Sequence, residues 1–182
     1  MSDDDRARWD ERYVSRGSAA VTAVGPPPVF AAFEHSFPTA GHALDLACGQ
    51  GAFTVWLAQR GLTVSGVDVS TTAVEQARDL ARRSGVGERC RFDVVDLDAG
   101  LPDGPVVDVL VCHRFRDARL DEDILDRLAP GGVLAISALS EVGARPGRFR
   151  VVPGELTTAF AGLHVIAAGE GDGEAWLLGR SG

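Results

Sequence analysis

Short apolar runs alternate along this chain with stretches of helical periodicity. Each apolar run is bounded by turn residues, and the fourth run is nearly continuous, as expected for a parallel strand buried on both faces. This alternation predicts an α/β fold with a mostly parallel sheet that carries helices on both faces. The predicted strands are His42–Ala47, Leu62–Val67, Cys90–Val95, Val106–Cys112 and Val133–Leu139.

The helical segments carry start and stop signals. The first sixteen residues and a short segment at Val29–Phe37 predict two N-terminal helices, separated by a glycine and three prolines. Ser70 or Thr72 is expected to cap a later helix, because Thr72-x-x-Glu75 matches a capping box. Pro130-Gly131-Gly132 is expected to end the helix before the fifth strand.

The end of the chain predicts an antiparallel hairpin. Its strands are Leu163–Ala168 and Ala175–Gly179, and the linker between them is too short for a crossover helix. The length favours a single domain over residues 1–182, with residues 1–40 as a helical appendage and 41–182 as an α/β core.

Composition narrows the function classes. The 182 residues carry a net charge of −8, which argues against a surface that binds nucleic acid. Neither a membrane span nor a secretory signal is present in this sequence, so we expect a cytoplasmic protein without a membrane partner. The three cysteines lack C-x-x-C spacing, and no metal site is predicted.

A glycine turn follows the first predicted strand, at Asp45–Gly51, and Asp68 ends the second. A glycine turn and a carboxylate at successive strand ends are typical of nucleoside cofactor sites. A dinucleotide fingerprint counted from Gly49 fails, because Thr54 occupies its third small position. Asp45 would repel a pyrophosphate but attract the ammonium and sulfonium of S-adenosylmethionine.

The segment Asp45–Gly51 resembles the first motif of the class I, Rossmann-like S-adenosylmethionine-dependent methyltransferases. Ala47 replaces the first glycine of that motif, and we expect it to need only an ordinary backbone angle. The resemblance implies a doubly wound, seven-stranded sheet in the order 3-2-1-4-5-7-6 with strand 7 antiparallel. It also implies S-adenosylmethionine as cofactor and S-adenosylhomocysteine as product.

The resemblance assigns cofactor roles to residues at the strand ends. Gly49 and Gly51 would let the backbone approach the methionine part, and Asp68 would accept hydrogen bonds from the ribose hydroxyls. Asp96 would bind the adenine amine, and Leu97 would supply a backbone donor and an apolar wall. Asp68 or Asp96 alone is equally typical of a turn, but their order at successive strand ends favours the cofactor role. The full predicted set is Trp9, Arg12, Tyr13, Asp45, Ala47, Cys48, Gly49, Gly51, Asp68, Val69, Ser70, Asp96, Leu97, Cys112 and His113.

The N-terminal segment Trp9–Tyr13 resembles the Trp-x-x-Arg-Tyr/Trp signature of small tellurite-resistance and thiopurine-type methyltransferases. The resemblance implies a helix folded over the cofactor, with Arg12 on its carboxylate and the aromatic rings shielding its sulfonium. The alternative is an amphipathic helix that packs Trp9 and Tyr13 into the domain and leaves Arg12 solvated.

Residues after the fourth and fifth strands are candidates for the acceptor side. His113 directly follows the fourth strand and is the candidate general base, with a structural histidine as the alternative. Arg114, Arg116 and Arg148 would clamp an anionic small-molecule acceptor. The alternative is that these are solvated loop arginines, paired with Asp117, Asp121 and Glu122.

Together these features predict an S-adenosylmethionine-dependent methyltransferase that acts on a small molecule as a monomer or homodimer. Three alternatives stay open: a protein or RNA methyltransferase, a non-catalytic S-adenosylmethionine-binding protein, and a nicotinamide oxidoreductase.

Overall fold

The computed structural model describes residues 3–147 and 149–182, and its strands form one mixed sheet. The strands are β1 (His42–Leu46), β2 (Thr63–Asp68), β3 (Cys90–Val94), β4 (Val107–His113), β5 (Leu128–Ser140), β6 (Arg150–Val151), β7 (His164–Gly171) and β8 (Glu174–Arg180). Their order is β3-β2-β1-β4-β5-β8-β7, with β6 beside β5 and β8 antiparallel to both neighbours. The predicted fold class and strand order are confirmed, and only the two-residue β6 was not predicted.

Six α-helices lie among the described residues. They are α1 (Asp3–Arg16), α2 (Pro28–Ala31), α3 (Ala52–Gln59), α4 (Thr71–Arg83), α5 (Asp121–Arg127) and α6 (Glu155–Ala159). The helix predicted at Val29–Phe37 is wrong in extent, because α2 ends at Ala31 and only a 3-10 turn follows, at Glu34–Ser36. Beyond that turn, extended backbone at Phe37 brings its ring edge-on against Trp56, with 5.4 Å between the ring centroids.

The end of α5 also differs from the prediction. The helix ends at Arg127, and β5 begins at Leu128 and runs through Pro130 to Gly132, so these residues do not terminate a helix. A register shift between Val107 and Val109 of β4 accommodates the extra residues of β5. The proline is tolerated because the shift interrupts the regular ladder at this point.

The chain divides into two compact units, one extending to Asp103 and the other comprising Gly104–Gly182. In the first unit, α3 and α4 pack against β2 and β3, and residues such as Val55, Leu80 and Phe92 share one buried apolar cluster. In the second unit, Leu134 and other residues of the central strands are fully buried. The proposal of a single domain with residues 1–40 as an appendage stays a prediction. Within the described residues, every helix is too short or too polar to cross a membrane.

A tight turn joins β7 to β8. Asp172 and Gly173 both have positive φ angles, of 50° and 80°, as a two-residue type I′ hairpin requires. The register set by this turn pairs Gly169 with Trp176. A Cβ atom on Gly169 would lie 2.7 Å from atoms of the Trp176 ring, so the indole occupies the space left by the missing side chain.

We expect Gly169→Ala to destabilise the second unit by about 1–3 kcal/mol, because the added methyl group overlaps the Trp176 ring. Gly171→Ala on the same strand is the matched control, since its Cβ would meet nothing within 4 Å. Urea unfolding of both variants measures the difference. Equal stabilities would show that the Trp176 ring moves aside without cost.

Candidate active site

The glycine turn connects β1 to α3 in the first unit. Gly49 and Gly51 have φ angles of 53° and 78°, a region that side chains disfavour. A Cβ atom on Gly49 would lie 2.9 Å from the Tyr13 hydroxyl oxygen, and one on Gly51 would lie 2.8 Å from the Cβ of Ala77. Conformation therefore favours glycine at both positions, and at Gly51 the neighbouring Ala77 also leaves no space for a side chain.

Ala47 departs from the conformation expected for it. Its φ angle is 54°, so the expectation of an ordinary backbone angle is wrong. The left-handed conformation costs an L-residue about 1–2 kcal/mol. The turn evidently keeps the conformation of a glycine at this position even though the sequence places an alanine there.

Asp68 connects the glycine turn to the end of β2. Its buried carboxylate accepts one hydrogen bond from the Gly49 N–H, at 2.8 Å, and another from the Ser70 N–H, at 2.9 Å. Burial raises the pKa of Asp68, and the backbone hydrogen bonds oppose that rise. Because a carboxylate has about four lone-pair positions, Asp68 keeps acceptor capacity beyond its backbone hydrogen bonds.

Ser70 is the N-cap of α4. Its hydroxyl accepts from the Ala73 N–H, at 3.1 Å, so the capping box predicted from Thr72 is not the cap that forms. The same hydroxyl donates to Asp10 Oδ1 of α1, at 2.5 Å, and that carboxylate oxygen also accepts from the Thr72 N–H, at 3.1 Å. Partial burial opposes ionisation of Asp10, but these hydrogen bonds hold its pKa below the usual value. The cap therefore binds α1 to the start of α4.

Tyr13 and Trp9 place aromatic rings of α1 at the glycine turn. The two rings stack with 6.0 Å between centroids, and Tyr13 is buried against Gly49. Burial, followed by the charge of Asp68, raises the pKa of Tyr13, so its phenol stays neutral. The exposed Arg12 guanidinium lies 5.0 Å from the centroid of the Trp9 ring. Tyr13 is thus packed into the unit, whereas Arg12 remains accessible.

The buried Asp45 carboxyl group and the partly buried Cys48 thiol lie at the start of the turn. Asp45 accepts a hydrogen bond from the Thr54 hydroxyl, at 2.5 Å, and burial raises its pKa to about 7. Burial and then the charges of Asp45 and Asp68 raise the pKa of the Cys48 thiol well above its usual value. Asp68, and Asp45 once the pH exceeds its raised pKa, give this region the negative potential that attracts a cation.

The end of β3 lies beside the end of β2. The Val95 N–H donates to the Asp68 carbonyl oxygen, at 2.9 Å, which brings Asp96 to this edge. Asp96 Oδ1 accepts a hydrogen bond from the Asp98 N–H and caps a 3-10 turn. Asp96 therefore has the structural role of a turn aspartate, which is the alternative that the sequence leaves open. The apolar side chains of Leu97 and Val69 are buried near the ends of β3 and β2.

In the second unit, His113 ends β4 and contacts β5. Its Nδ1 lies 2.7 Å from the hydroxyl oxygen of Ser137, which also accepts from the Arg114 N–H, at 3.2 Å. Burial lowers the pKa of His113, so the imidazole is neutral at pH 7. Cys112 is buried, and its thiol donates to the Phe115 carbonyl oxygen, at 3.4 Å.

The arginines predicted to clamp an acceptor are paired with carboxylates. Arg116 is largely buried between Asp121 and Glu155, with its Nε 2.9 Å from Glu155 Oε1. Arg114 Nη2 lies 3.3 Å from Glu174 Oε2. Arg148 lies outside the described residues. The structure does not bring Arg114 and Arg116 together on one anion site.

Sequence reasoning missed three polar residues that organise these contacts. Asp10 lies inside the quoted N-terminal motif, which was the available signal for it. No short sequence pattern marks Ser137 or Glu174, because each contacts a residue more than twenty positions away along the chain.

Residues 43–132 match a family model described as a methyltransferase domain. The ribosomal RNA small subunit methyltransferase C of Alcanivorax borkumensis is 35% identical over 118 residues, and the match covers 59% of this chain and 35% of that protein. The trans-aconitate 2-methyltransferase of Streptomyces coelicolor is 37% identical over 112 residues, which cover 58% of this chain and 34% of that protein. The chain thus spans about a third of the length of these two relatives.

A solved structure gives the same fold over nearly the whole chain. TehB from Haemophilus influenzae superimposes with a TM-score of 0.71 and 16% identity, covering 96% of this chain and 67% of that chain. Residues 43–132 therefore belong to the methyltransferase domain family. The fold over nearly the whole chain is that of a solved S-adenosylmethionine-dependent methyltransferase from Clostridium acetobutylicum, with a TM-score of 0.67. The superposition on TehB confirms the expected similarity to this type of small methyltransferase at the level of the fold.

The residues of the first unit fit the cofactor of this methyltransferase family. The turn lies between Asp45 and Asp68, buried carboxyl groups of the kind that attract a sulfonium and an ammonium when ionised. Asp68 retains the acceptor positions that ribose hydroxyls need. Hence S-adenosylmethionine fits the chemistry of this donor and acceptor set.

We expect Ala47→Gly to raise the free energy of unfolding by roughly 0.5–1 kcal/mol, because glycine adopts a φ of 54° without strain but has a more flexible unfolded state. The control is Ala58→Gly, a buried position inside α3, where glycine should cost at least about 1 kcal/mol. Chemical denaturation compares them. Equal losses in the two variants would contradict strain at Ala47.

We expect Asp45→Asn to flatten the dependence of stability on pH. Burial raises the folded-state pKa of Asp45 from 3.8 to about 7, so the folded protein holds this proton more tightly than the unfolded chain does. Stability is therefore lost as the pH rises from about 4 to about 7, by about 1.4 kcal/mol for each pKa unit.

Urea unfolding at about pH 4 and about pH 8 tests this expectation. The variant should lose less stability than the wild type at the higher pH, and Asp103→Asn, at an exposed position, should behave like the wild type. An unchanged pH profile in Asp45→Asn would contradict the raised pKa.

Proposed function

We propose that this methyltransferase transfers the methyl group of S-adenosylmethionine to a small-molecule acceptor. The observation that carries the cofactor assignment is the buried Asp68 carboxylate, bonded to the backbone of both the glycine turn and the cap of α4. In this proposal the first unit holds the cofactor.

Each cofactor-side residue has a role that follows from its contacts. Asp68 accepts from the ribose hydroxyls through its remaining lone pairs, and Asp45 favours the cationic methionine end. Tyr13 and Trp9 exclude water from the glycine turn, and Arg12 is accessible to a carboxylate. Asp96 and Leu97 are proposed to contact the adenine, and the other cofactor-binding predictions remain proposals of the same kind.

The bound cofactor supplies a methyl group already activated on a positively charged sulfur. The protein then has to align an acceptor lone pair with the methyl–sulfur bond and exclude water. His113 is neutral at pH 7 and is proposed as the base for an acceptor that loses a proton. Acceptors without such a proton need only alignment.

The charge distribution supports a small-molecule acceptor over RNA. The net charge of −8 disfavours binding along a phosphate backbone. The pairing of Arg114 and Arg116 with carboxylates gives no support to an anionic acceptor, so we do not assign a charge to it. One relative is named for ribosomal RNA and another for trans-aconitate, so the relatives' names favour neither class.

Asp68→Asn should weaken binding of both S-adenosylmethionine and S-adenosylhomocysteine by about 10–100-fold, because hydrogen bonds to a charged group contribute about 1.5–3 kcal/mol. Thermal-shift titration measures this, since a ligand that binds only the folded state raises the unfolding midpoint. Asp103→Asn carries the same charge change on an exposed side chain and should bind like the wild type.

Failure of the wild type to respond to either nucleoside would overturn the cofactor assignment. The acceptor class is tested with methyl-labelled S-adenosylmethionine offered together with a metabolite pool, ribosomal RNA or total protein. Label that enters only small molecules supports the proposal. Label in RNA or protein would overturn it, and binding without transfer to any pool would indicate a non-catalytic binding protein.

A further inference from the structure

Three neighbouring strands, β4, β5 and β8, carry polar side chains on one face of the sheet, close to His113. His113 pairs with Ser137, and Ser137 pairs with Trp176. Paired residues on neighbouring strands present their side chains on the same face of a sheet. Glu174 lies two residues from Trp176 along β8, so it shares this face, because side chains alternate along a strand.

Glu174 is the unusual member of this group. Its Oε2 lies 3.3 Å from the Arg114 guanidinium, but its Oε1 is buried and has no hydrogen-bond partner among the described residues. That unpartnered oxygen lies 3.9 Å from Nδ1 of His113. A buried carboxylate oxygen without a donor is costly, so its position calls for an explanation.

The Ser137 hydroxyl has a lone pair left to accept from an imidazole N–H, and its own proton can instead be donated to a bare Nδ1, so the nearby charge decides between the two tautomers. Ser137 is fully buried, and its hydroxyl oxygen already accepts from the Arg114 N–H while lying 2.7 Å from His113 Nδ1. The negative charge of Glu174 on the same side favours a proton on Nδ1. With that proton in place, Nε2 keeps its lone pair.

The backbone next to His113 is also in an unusual conformation. Arg114 has a φ angle of 57°, and its N–H donates to both the carbonyl and the hydroxyl oxygen of Ser137. Left-handed residues other than glycine are found preferentially at functional sites, where the surrounding contacts hold them. Here those contacts fix the imidazole and its neighbours in one arrangement.

We propose that Glu174 and Ser137 are positioning residues that hold His113 as the Nδ1–H tautomer, so that Nε2 removes a proton from a hydroxyl or amine acceptor. The proposal rests on the proposed function. In the step, the acceptor lone pair forms a bond to the methyl carbon, and the electron pair of the breaking carbon–sulfur bond stays on sulfur. The acceptor proton passes to Nε2 and later to water.

The charged groups that act on His113 set the expected response to pH. Burial lowers the pKa of His113, the charge of Glu174 opposes this, and the charge of Arg114 adds to it. Removing the charge of Glu174 should therefore lower the pKa of His113 further. It should also remove the preference for a proton on Nδ1.

Nitrogen-15 NMR of the imidazoles in the whole protein tests the tautomer without any acceptor or cofactor. The His113 signals are identified by their loss in His113→Asn, because the chain has four histidines. In the wild type we expect Nδ1 to carry the proton. In Glu174→Gln the two ring nitrogens should share it and the pKa should fall, whereas Glu122→Gln, an exposed charge-matched control, should change neither.

A proton on Nε2 in the wild type, or an unchanged tautomer and pKa in Glu174→Gln, would overturn the proposal. Because this readout needs no cofactor, its failure is distinct from a failure to bind S-adenosylmethionine. Once an acceptor is identified, His113→Asn should lower kcat by about 10²–10⁴-fold. Glu174→Gln should lower kcat and shift its pH profile with little change in cofactor affinity, and Glu174→Asp should restore part of the loss.

Discussion

A single buried carboxylate accepts the hydrogen bonds on which the cofactor side of this protein depends. Asp68 ends β2 and accepts from the backbone of Gly49 in the turn before α3 and of Ser70 at the start of α4. Hydrogen bonds to a charged group are worth about 1.5–3 kcal/mol each, and removing the carboxylate would leave two backbone donors unsatisfied. The same group thus fixes the strand end, the glycine turn and the helix cap relative to one another.

The N-terminal helix extends this arrangement. Asp10 accepts from the Ser70 hydroxyl and from the backbone of Thr72, and Tyr13 lies where a side chain on Gly49 would be. Much of the attachment of α1 is polar and directed at the ends of other elements. Directional hydrogen bonds of this kind fix the position of α1 at the start of α4. A helix proposed to cover the cofactor needs such a fixed position.

The fold, and the proximity of the candidate site residues in the first unit, could be predicted because both depend on local patterns. Apolar runs set the strands, and the order of Asp45, Gly49 and Asp68 along the chain indicated the cofactor edge. Contacts between residues far apart in sequence could not be predicted in this way. Neither the pairing of Asp10 with Ser70 nor that of Glu174 with Arg114 leaves a periodic trace in the sequence. The backbone angle of Ala47 was mispredicted for a related reason, since the turn determines that angle and the side chain does not.

The chemistry of Cys48 has a consequence for an enzyme that handles an alkylating cofactor. A thiolate is a strong nucleophile, and one in the glycine turn would compete with the acceptor for the methyl group. Burial, together with the charges of Asp45 and Asp68, keeps this cysteine protonated and therefore poorly reactive. The carboxylates proposed to favour a cationic cofactor thereby also lower the nucleophilicity of this thiol.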